Sequence, residues 1–519
     1  MHLTRRGMLQ LASAAMLPAA PVSGPRFETS DRNLHSSYDA ALAGAAANTR
    51  VVNSFADPVL IEGGVYPGIW LECGPLEGLA YAPWNSAAAV ANHRTFFHFQ
   101  REDGQFPCWI WFQAVGFSQI QMVAPIAATA LEVFERTADA AFLEEAYRSC
   151  LKWDGWLSAH RNTRGTGLCE LFCEYDTGHD NSPRVRGLEK ACPQHEARNL
   201  PPGNELPWLA PDLSATVYGG RVALAKMARM QGKRNDEARW LESAARIRGL
   251  IVDRLYDAKD ACFYDLTTAN RFVRVRGDAL TRVCGEHVPD QALFDTLWQR
   301  QLGNPSAFWT KYPFPSIALD DPAFVRPIPQ NSWGGASQAL TALRAPRWME
   351  HYGRRAELRQ LMSRWVEAIV RAGEFLQQLD PETGICTPHK GGYSPAILTL
   401  LDFTWRLYGV RQRGERLEWN CRLPEGSQKV ETTLPLKGGD ASLVTTPQGS
   451  ELRLNGRRLA RVSGAVRLVT DGRGALLALE GTQGDAQSVR VEVEGHKPIQ
   501  VTIAPDEVKA WDGLRRAGG

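Results

Sequence analysis

Residues 118–136, SQIQMVAPIAATALEVFER, and 139–160, DAAFLEEAYRSCLKWDGWLSAH, decide the fold class. Both carry apolar residues at three-to-four spacing, the mark of a helix that buries one face. The connection through Thr137–Asp139 is short enough to force an antiparallel pair. The pattern returns at 212–231 with 234–255 and at 334–352 with 354–378, and further helices are expected near 86–100, 290–301 and 393–408. The hairpins run from about Ala40 to Tyr408 without a shared consensus or a fixed period, which favours a closed ring over a solenoid.

Beyond Gly414 the period changes from helical to alternating. Runs at Glu451–Leu454, Ala465–Val469, Ala475–Leu479, Ser488–Val493 and Ile499–Ile503 are separated by the turn signals TDGRG, GTQGD and EGHKP. They predict an antiparallel, sandwich-like β domain over 413–519, placed against the ring or binding carbohydrate itself. Ahead of the ring, MHLTRRGMLQLASAAMLPAAPVSG joins Arg5–Arg6 to a modestly apolar stretch and to small residues around Ala19–Ala20. This resembles a bacterial twin-arginine export signal over residues 1–30, which implies a periplasmic or secreted destination. No later stretch reaches the roughly 18 apolar residues of a membrane span.

The 59 Lys+Arg against 57 Asp+Glu give no electrostatic reason to expect nucleic acid or an anionic membrane as partner. The chain's 519 residues are 44% hydrophobic, too apolar for disorder. Ten Cys are too sparse for a disulfide scaffold, and no ligand cluster points to a metal or cofactor. The 16 Trp stand out; those inside helices (Trp153, Trp156, Trp240, Trp348, Trp365, Trp405) suit a core, and those in loops suit a ligand face. No serine nucleophile elbow, phosphate loop or dinucleotide fingerprint occurs.

The chemistry concentrates in CEYDTGHDNSPR, Cys173–Arg184, where Glu174, Asp176, His179, Asp180, Asn181 and Arg184 surround one glycine. Burial raises the pKa of a carboxyl, while Arg and amide donors lower it, and a general acid needs the raised form. The segment resembles the motif ESGWDNSPR of the (α/α)6-barrel glycosidases in glycoside hydrolase families 37 and 63, which include trehalases, processing α-glucosidases and mannosylglycerate hydrolases. The resemblance puts their general acid on Asp180, with Asp176 and His179 in place of the usual Glu and Trp.

Further stretches resemble the same families in the same order. GVYPGIWLECG (64–74) is similar to a Trp-Asp substrate segment, with Trp70 and with Glu72 or Cys73 at the acidic place. REDGQFPCWIW (101–111) is similar to QxDGxIP and brings Trp109 and Trp111. GFSQIQMVAP (116–125) is similar to an SQPP stretch and sets Gln119 near the sugar. NSWGGASQAL (331–340) is similar to NYWRGPVW, keeping Trp333 but carrying Gly334 where Arg is usual. LDPETG (379–384) with HKGGYSPAILTLL is similar to the terminal YDPxTG block.

The resemblance implies a mainly α, (α/α)6-barrel domain over 31–412 and a pocket-forming glycoside hydrolase. Its reaction would be exo-acting and inverting, with Asp180 protonating the leaving oxygen. A second carboxylate about 6.5–9.5 Å away would activate water. Substrate contacts are expected from Trp70, Glu72, Trp109, Trp111, Gln119, Asp176, His179, Asn181, Arg184, Trp333 and Gln377. The family's general-base Glu aligns with Gln377, an amide that cannot take a proton from water. Glu374, one helical turn earlier, is the nearest replacement, with Glu72 and Glu77 as alternatives from the N-terminal side. Two other readings remain open: a sugar-binding barrel without catalysis, suggested by Gln377 and Gly334, and a uronic-acid polysaccharide lyase using His179, His389 and Tyr393.

Overall fold

A computed structural model describes residues 24–203, 205–387 and 390–517. The twin-arginine segment up to residue 23 and His389 lie outside the described residues. The helices are α1 (Arg32–Asn48), α2 (Gly74–Tyr81), α3 (Ser86–His98), α4 (Ile126–Thr137), α5 (Ala140–His160), α6 (Pro211–Met230) and α7 (Arg234–Leu255). They continue with α8 (Ala279–Gly285), α9 (Gln291–Leu297), α10 (Ala339–Met349), α11 (Arg355–Ala372), α12 (Ser394–Tyr408) and α13 (Trp511–Ala517).

The even-numbered helices form the inner ring. α2 packs on α4, α4 on α6, α6 on α8, α8 on α10, α10 on α12, and α12 closes back onto α2. The odd-numbered helices α1 to α11 alternate with them along the chain, and α3, α5, α7 and α11 pack against their inner neighbours, as α1 does against α12. This is the (α/α)6 barrel. Its core takes Trp153, Trp156, Trp348, Trp365 and Trp405 as expected, whereas Trp240 is only half-buried.

Three expected helices are shorter than their periodicity suggested: 334–352 is helical only over Ala339–Met349, and the other two differences shape the site. The stretch 118–136 becomes helical only at Ile126, because Pro125 pushes the residue before it away from helical angles. Residues 118–124 therefore run along the mouth of the ring as irregular, non-helical chain, with Gln121 at positive φ. The stretch 354–378 ends at Ala372, where Gly373 adopts the left-handed cap (φ 67°). Elsewhere the caps follow the sequence: the Asp31 side chain accepts from the N–H groups of Asn33 and Leu34, and Asp139 accepts from that of Phe142.

After α12 the chain enters two antiparallel sheets that share one apolar core built around Trp419, Leu443, Leu452, Leu468, Leu479 and Val489. Residues 410–413 form the first strand of one sheet. Arg26–Thr29 pairs with Val430–Thr433 at the edge of the other, so the folded chain starts ahead of residue 31. The two parts meet at buried Glu350, which takes Arg411 at 3.0 Å, Arg406 at 3.4 Å and Arg467 at 3.5 Å.

Candidate active site

Alternation of inner and outer helices points every inner helix the same way, so six N-termini gather at one mouth of the ring. The chemistry-bearing residues sit there in sequence. Glu72 precedes α2, Gln119 and Gln121 precede α4, Asp212 opens α6, Asp278 caps α8, Asn331 and Trp333 precede α10, and Tyr393 caps α12. Convergent helix N-termini favour carboxylates at this end.

Asp180 lies in the long α5–α6 connection and is half-buried. Its backbone carbonyl accepts from the Trp333 N–H at 3.0 Å, and its Oδ2 faces Asn331 Nδ2 at 3.4 Å. Burial, aided by the charge of Glu174, pushes its carboxyl up to about 6. Asn181, beside it, donates to the Asn331 carbonyl at 2.9 Å and accepts from Lys190 at 2.9 Å. Gln377 is buried on the same wall, accepting from Tyr66 Oη at 2.9 Å and donating to Asn331 Oδ1 at 3.0 Å. Asp180, Asn331, Gln377 and Tyr66 thus form one chain of polar contacts.

Glu72 is the second accessible carboxyl. Its Oε2 accepts from Gln121 Nε2 at 3.0 Å, and Gln121 Oε1 accepts from Gln119 Nε2 at 2.8 Å. It lies over Gly178, two residues before Asp180. A Cβ at Gly178 would fall 2.0 Å from Glu72 Oε2, and the residue's φ is +63°, so only glycine fits. Burial and the neighbouring Asp180 push Glu72 up to about 7, against the fields of Arg282 and Arg344. Glu62, buried on the other side of Glu72, was missed by sequence reasoning, because it lies just ahead of the 64–74 stretch and carries no motif of its own. Burial and the charges of Glu72 and Glu77 push it well above the ordinary carboxyl range.

Aromatic side chains border these groups. Tyr66 meets Trp70 edge-on at 5.6 Å, Trp70 meets Trp111 at 6.2 Å, and Trp109 stacks on Trp111 at 4.5 Å. A small sheet, Gly68–Trp70 paired with Trp109–Trp111, holds them, and Trp111 and Phe112 are each 39% exposed. The exposure falls from Trp111 and Phe112 at the rim, through half-buried Trp70, Tyr66, Glu72 and Asp180, to buried Glu62, Gln377 and Trp333.

Several expected substrate contacts instead support the Asp180 loop from below. Asp176 is fully buried, held by Arg161 at 2.6 and 3.1 Å, and accepts the N–H groups of Ile120 and Phe172. Arg184 forks onto Asp212 and Asp265, with four contacts of 2.6–2.7 Å. His179 has Arg184 Nη1 at 3.2 Å from its Nδ1 and Asp278 Oδ1 at 2.6 Å from its Nε2. The first contact requires a bare Nδ1 and so places the proton on Nε2. Burial and Arg282 lower its pKa to about 4, keeping it neutral. Trp333 is buried against His179 and Arg282. Asp176 and Arg184 have no free polar edge for a sugar, and the buried His179 ring lies between Arg184 and Asp278.

Glu374 does not reach the site. With the helix ended at Ala372, the shared-face relation to Gln377 disappears, and Glu374 is exposed on the outer side beside Asn33, Ser36 and Ser37 of α1. Gly334 also has a physical reason: a Cβ there would meet Val325 Cγ2 at 2.8 Å, so the usual Arg has no room. Cys173 and Cys192 thiols lie 3.6 Å apart beneath the acid loop, next to the saturated Asp176.

Glu77, in the first turn of α2, is fully buried, and burial pushes it up to about 8. Keeping it protonated at pH 7 costs about 3 kcal/mol of stability. A raised folded-state pKa leaves stability intact below the unfolded value and erodes it as pH rises. Glu77→Gln is therefore expected to raise unfolding free energy by about 1–3 kcal/mol at pH 7 and by little near pH 4. Urea denaturation at the two pH values checks this, and an equal effect at both would refute it.

Residues 66–405 match the family described as the mannosylglycerate hydrolase MGH1-like glycoside hydrolase domain. Among solved structures, the glycoside hydrolase family 63 mannosylglycerate hydrolase from Thermus thermophilus, crystallised with glucose, superimposes with a TM-score of 0.57 at 18% identity, covering 71% of this chain and 99% of that one. The neutral trehalase of Saccharomyces cerevisiae gives 0.55 at 14% identity, over 70% of this chain and 80% of the trehalase. The α-L-rhamnosidase of Streptomyces avermitilis, complexed with L-rhamnose, gives 0.53 at 13% identity, over 89% of this chain and 38% of its own. At these identities the likeness is one of fold. No curated protein matches the chain in sequence.

Proposed function

The chain belongs to the mannosylglycerate hydrolase MGH1-like family of glycoside hydrolases, and on that premise we propose that it is an exported, exo-acting enzyme that removes a terminal neutral sugar with inversion. The observation that carries this reading is Asp180, an accessible carboxyl at the convergent helix ends whose burial holds it protonated up to about pH 6. A proton donor of that kind serves a glycosidic leaving oxygen. The aromatic rim and the buried floor favour a single sugar ring entering end-on. Export rests on the Arg5–Arg6 signal; no described helix is long and apolar enough to cross a membrane.

The charge pattern supports a neutral sugar. Glu72 and Asp180 are the half-buried acids here and Glu62 is buried behind them, while the buried guanidinium of Arg184 is taken up by carboxylates. A uronate would meet repulsion there. His179, neutral and engaged at both nitrogens, has no capacity to abstract a sugar proton, which argues against elimination. A non-catalytic barrel has no use for carboxyls whose ionisation burial has shifted this far.

The test is proton NMR of the first-formed product from a panel of aryl glycosides and oligosaccharides. A released monosaccharide of opposite anomeric configuration is expected. The rate is expected to fall as pH rises above about 6, because Asp180 then gives up the proton the leaving group needs. Binding without release, or an unsaturated product absorbing in the ultraviolet, would overturn the reading.

A further inference from the structure

We propose that Glu72 is the general base of this reaction, with Glu62 as the neighbour that shares its proton. The inference rests on the hydrolytic reading above and supplies the second carboxylate that reading requires. The place where the resemblance sets a base holds Gln377, and both ends of that amide are engaged, by Tyr66 and by Asn331. Glu374 is outside the site. Glu174, whose charge also acts on Asp180, is taken up by Lys190 and the Asn181 N–H, which leaves Glu62 and Glu72, among the described residues, as the carboxyls whose field reaches the acid.

Their arrangement distinguishes them. Carboxyl oxygens of Glu62 and Glu72 lie within 4.8 Å of each other, so a buried pair of this kind retains one proton between them. The buried guanidiniums of Arg282 and Arg344 act on Glu72, and Gln121 donates to it, so Glu72 is the member of the pair that ionises first, and the reactive form is the fraction in which it has lost its proton while Asp180 keeps its own. Both arginines keep buried N–H groups without a protein acceptor: Nε and Nη2 of Arg282, Nε and Nη1 of Arg344. Donors in that state favour an anion nearby over a neutral group. Glu62 has no such cation; it faces Glu72, Glu77 and the Tyr393 hydroxyl. Glu72 is also the more accessible of the two, as contact with water requires.

The step balances without any further reagent. A water oxygen bonds to the anomeric carbon while one of its protons passes to a Glu72 oxygen. The bond from that carbon to the glycosidic oxygen breaks, its electron pair stays on the oxygen, and the Asp180 proton moves there. The returned enzyme carries the proton on Glu72 instead of Asp180, and solvent exchange restores it.

The experiment compares the full-length wild type, Glu72→Gln, Glu72→Ala, Glu62→Gln and Asp180→Asn on the same activated aryl glycoside, with and without sodium azide. Glu72→Gln is expected to lose about 10²- to 10⁴-fold in kcat. Azide should restore Glu72→Ala and yield a glycosyl azide of inverted configuration, because the small anion needs no base. Asp180→Asn should show no such rescue on this substrate. Glu62→Gln, which leaves a neutral group where protonated Glu62 stood, should move the acid limb of the pH profile far less than any change at Glu72 does. Glu72→Asp, which keeps the carboxylate, guards against misfolding and should be folded and partly active. Wild-type activity with Glu72→Gln within tenfold of it, or azide rescue only in a Glu62→Ala variant, overturns the base assignment alone. A wild type that cleaves no glycoside overturns the hydrolytic reading and this inference with it.

Discussion

Asp180→Asn is expected to lower kcat by about 10²- to 10⁴-fold on substrates with poor leaving groups. The substitution removes the proton while leaving the local structure in place. Asp180 is held by its backbone carbonyl, which accepts from Trp333, and by an Asn331 amide that an asparagine oxygen can accept equally well. KM should therefore change little and the variant should fold normally. The diagnostic is leaving-group dependence: the deficit should shrink steadily along a series of aryl glycosides as the phenol becomes more acidic, because an acidic phenolate departs without help. An undiminished rate on alkyl or sugar leaving groups would remove Asp180 from the mechanism.

The loop that carries Asp180 was legible in the sequence, and so was Glu72 through its own stretch, but Glu62 and the buried charges beneath the loop were not, for a reason rooted in the fold. Asp180 sits in a contiguous motif, whereas Glu62, Glu72, Asp212, Asp278 and Arg344 come from separate parts of the chain that only ring closure brings together. A signal existed for some of them: Asp212 follows Pro211 at the start of an apolar-periodic segment, where an acid suits a helix N-terminus. The hairpins and the β domain were readable because their periods are long and clean. Two of the misjudged helix limits came from letting periodicity run through a breaker, at Pro125 and at Gly373. The second of these errors produced Glu374 as a base.

Polar residues inside the motif were harder to sort, since sequence proximity does not say which side chains point up to a ligand and which point down. Asp176, His179 and Arg184 all point down. The reason is the loop's own connectivity: Gly178 turns it with a positive φ, so the residues on either side alternate between the mouth and the buried charges of α6 and α8. The same logic explains why Arg282 donates to the Thr177 carbonyl at 2.5 Å from beneath.

Breaking that support should be as damaging to the fold as Asp180→Asn is to turnover. Arg184→Met removes four charge-assisted hydrogen bonds to Asp212 and Asp265 and the contact with His179 Nδ1. It leaves two buried carboxylates without their main cation, which destabilises by about 3–5 kcal/mol. Arg184→Lys keeps the charge but has no planar fork, so it cannot serve both carboxylates and should fall between the two. The pH dependence separates this from a simple packing loss. Burial alone would raise the Asp212 pKa, but Arg184 and Arg282 hold it well below the ordinary range. In the wild type that depressed pKa contributes stability present at neutral pH and lost as pH falls. In the variant, burial without that cation raises the pKa of Asp212 and Asp265, so the penalty they carry at pH 7 is relieved as they take up protons on the way down, and the stability gap between the two proteins should be widest at pH 7 and clearly smaller at pH 4. Urea unfolding followed by tryptophan fluorescence at both pH values measures the gap. A gap of equal size at pH 7 and pH 4 would mean that Arg184 acts through its bulk, and that the charges beneath the acid loop do not hold it in place.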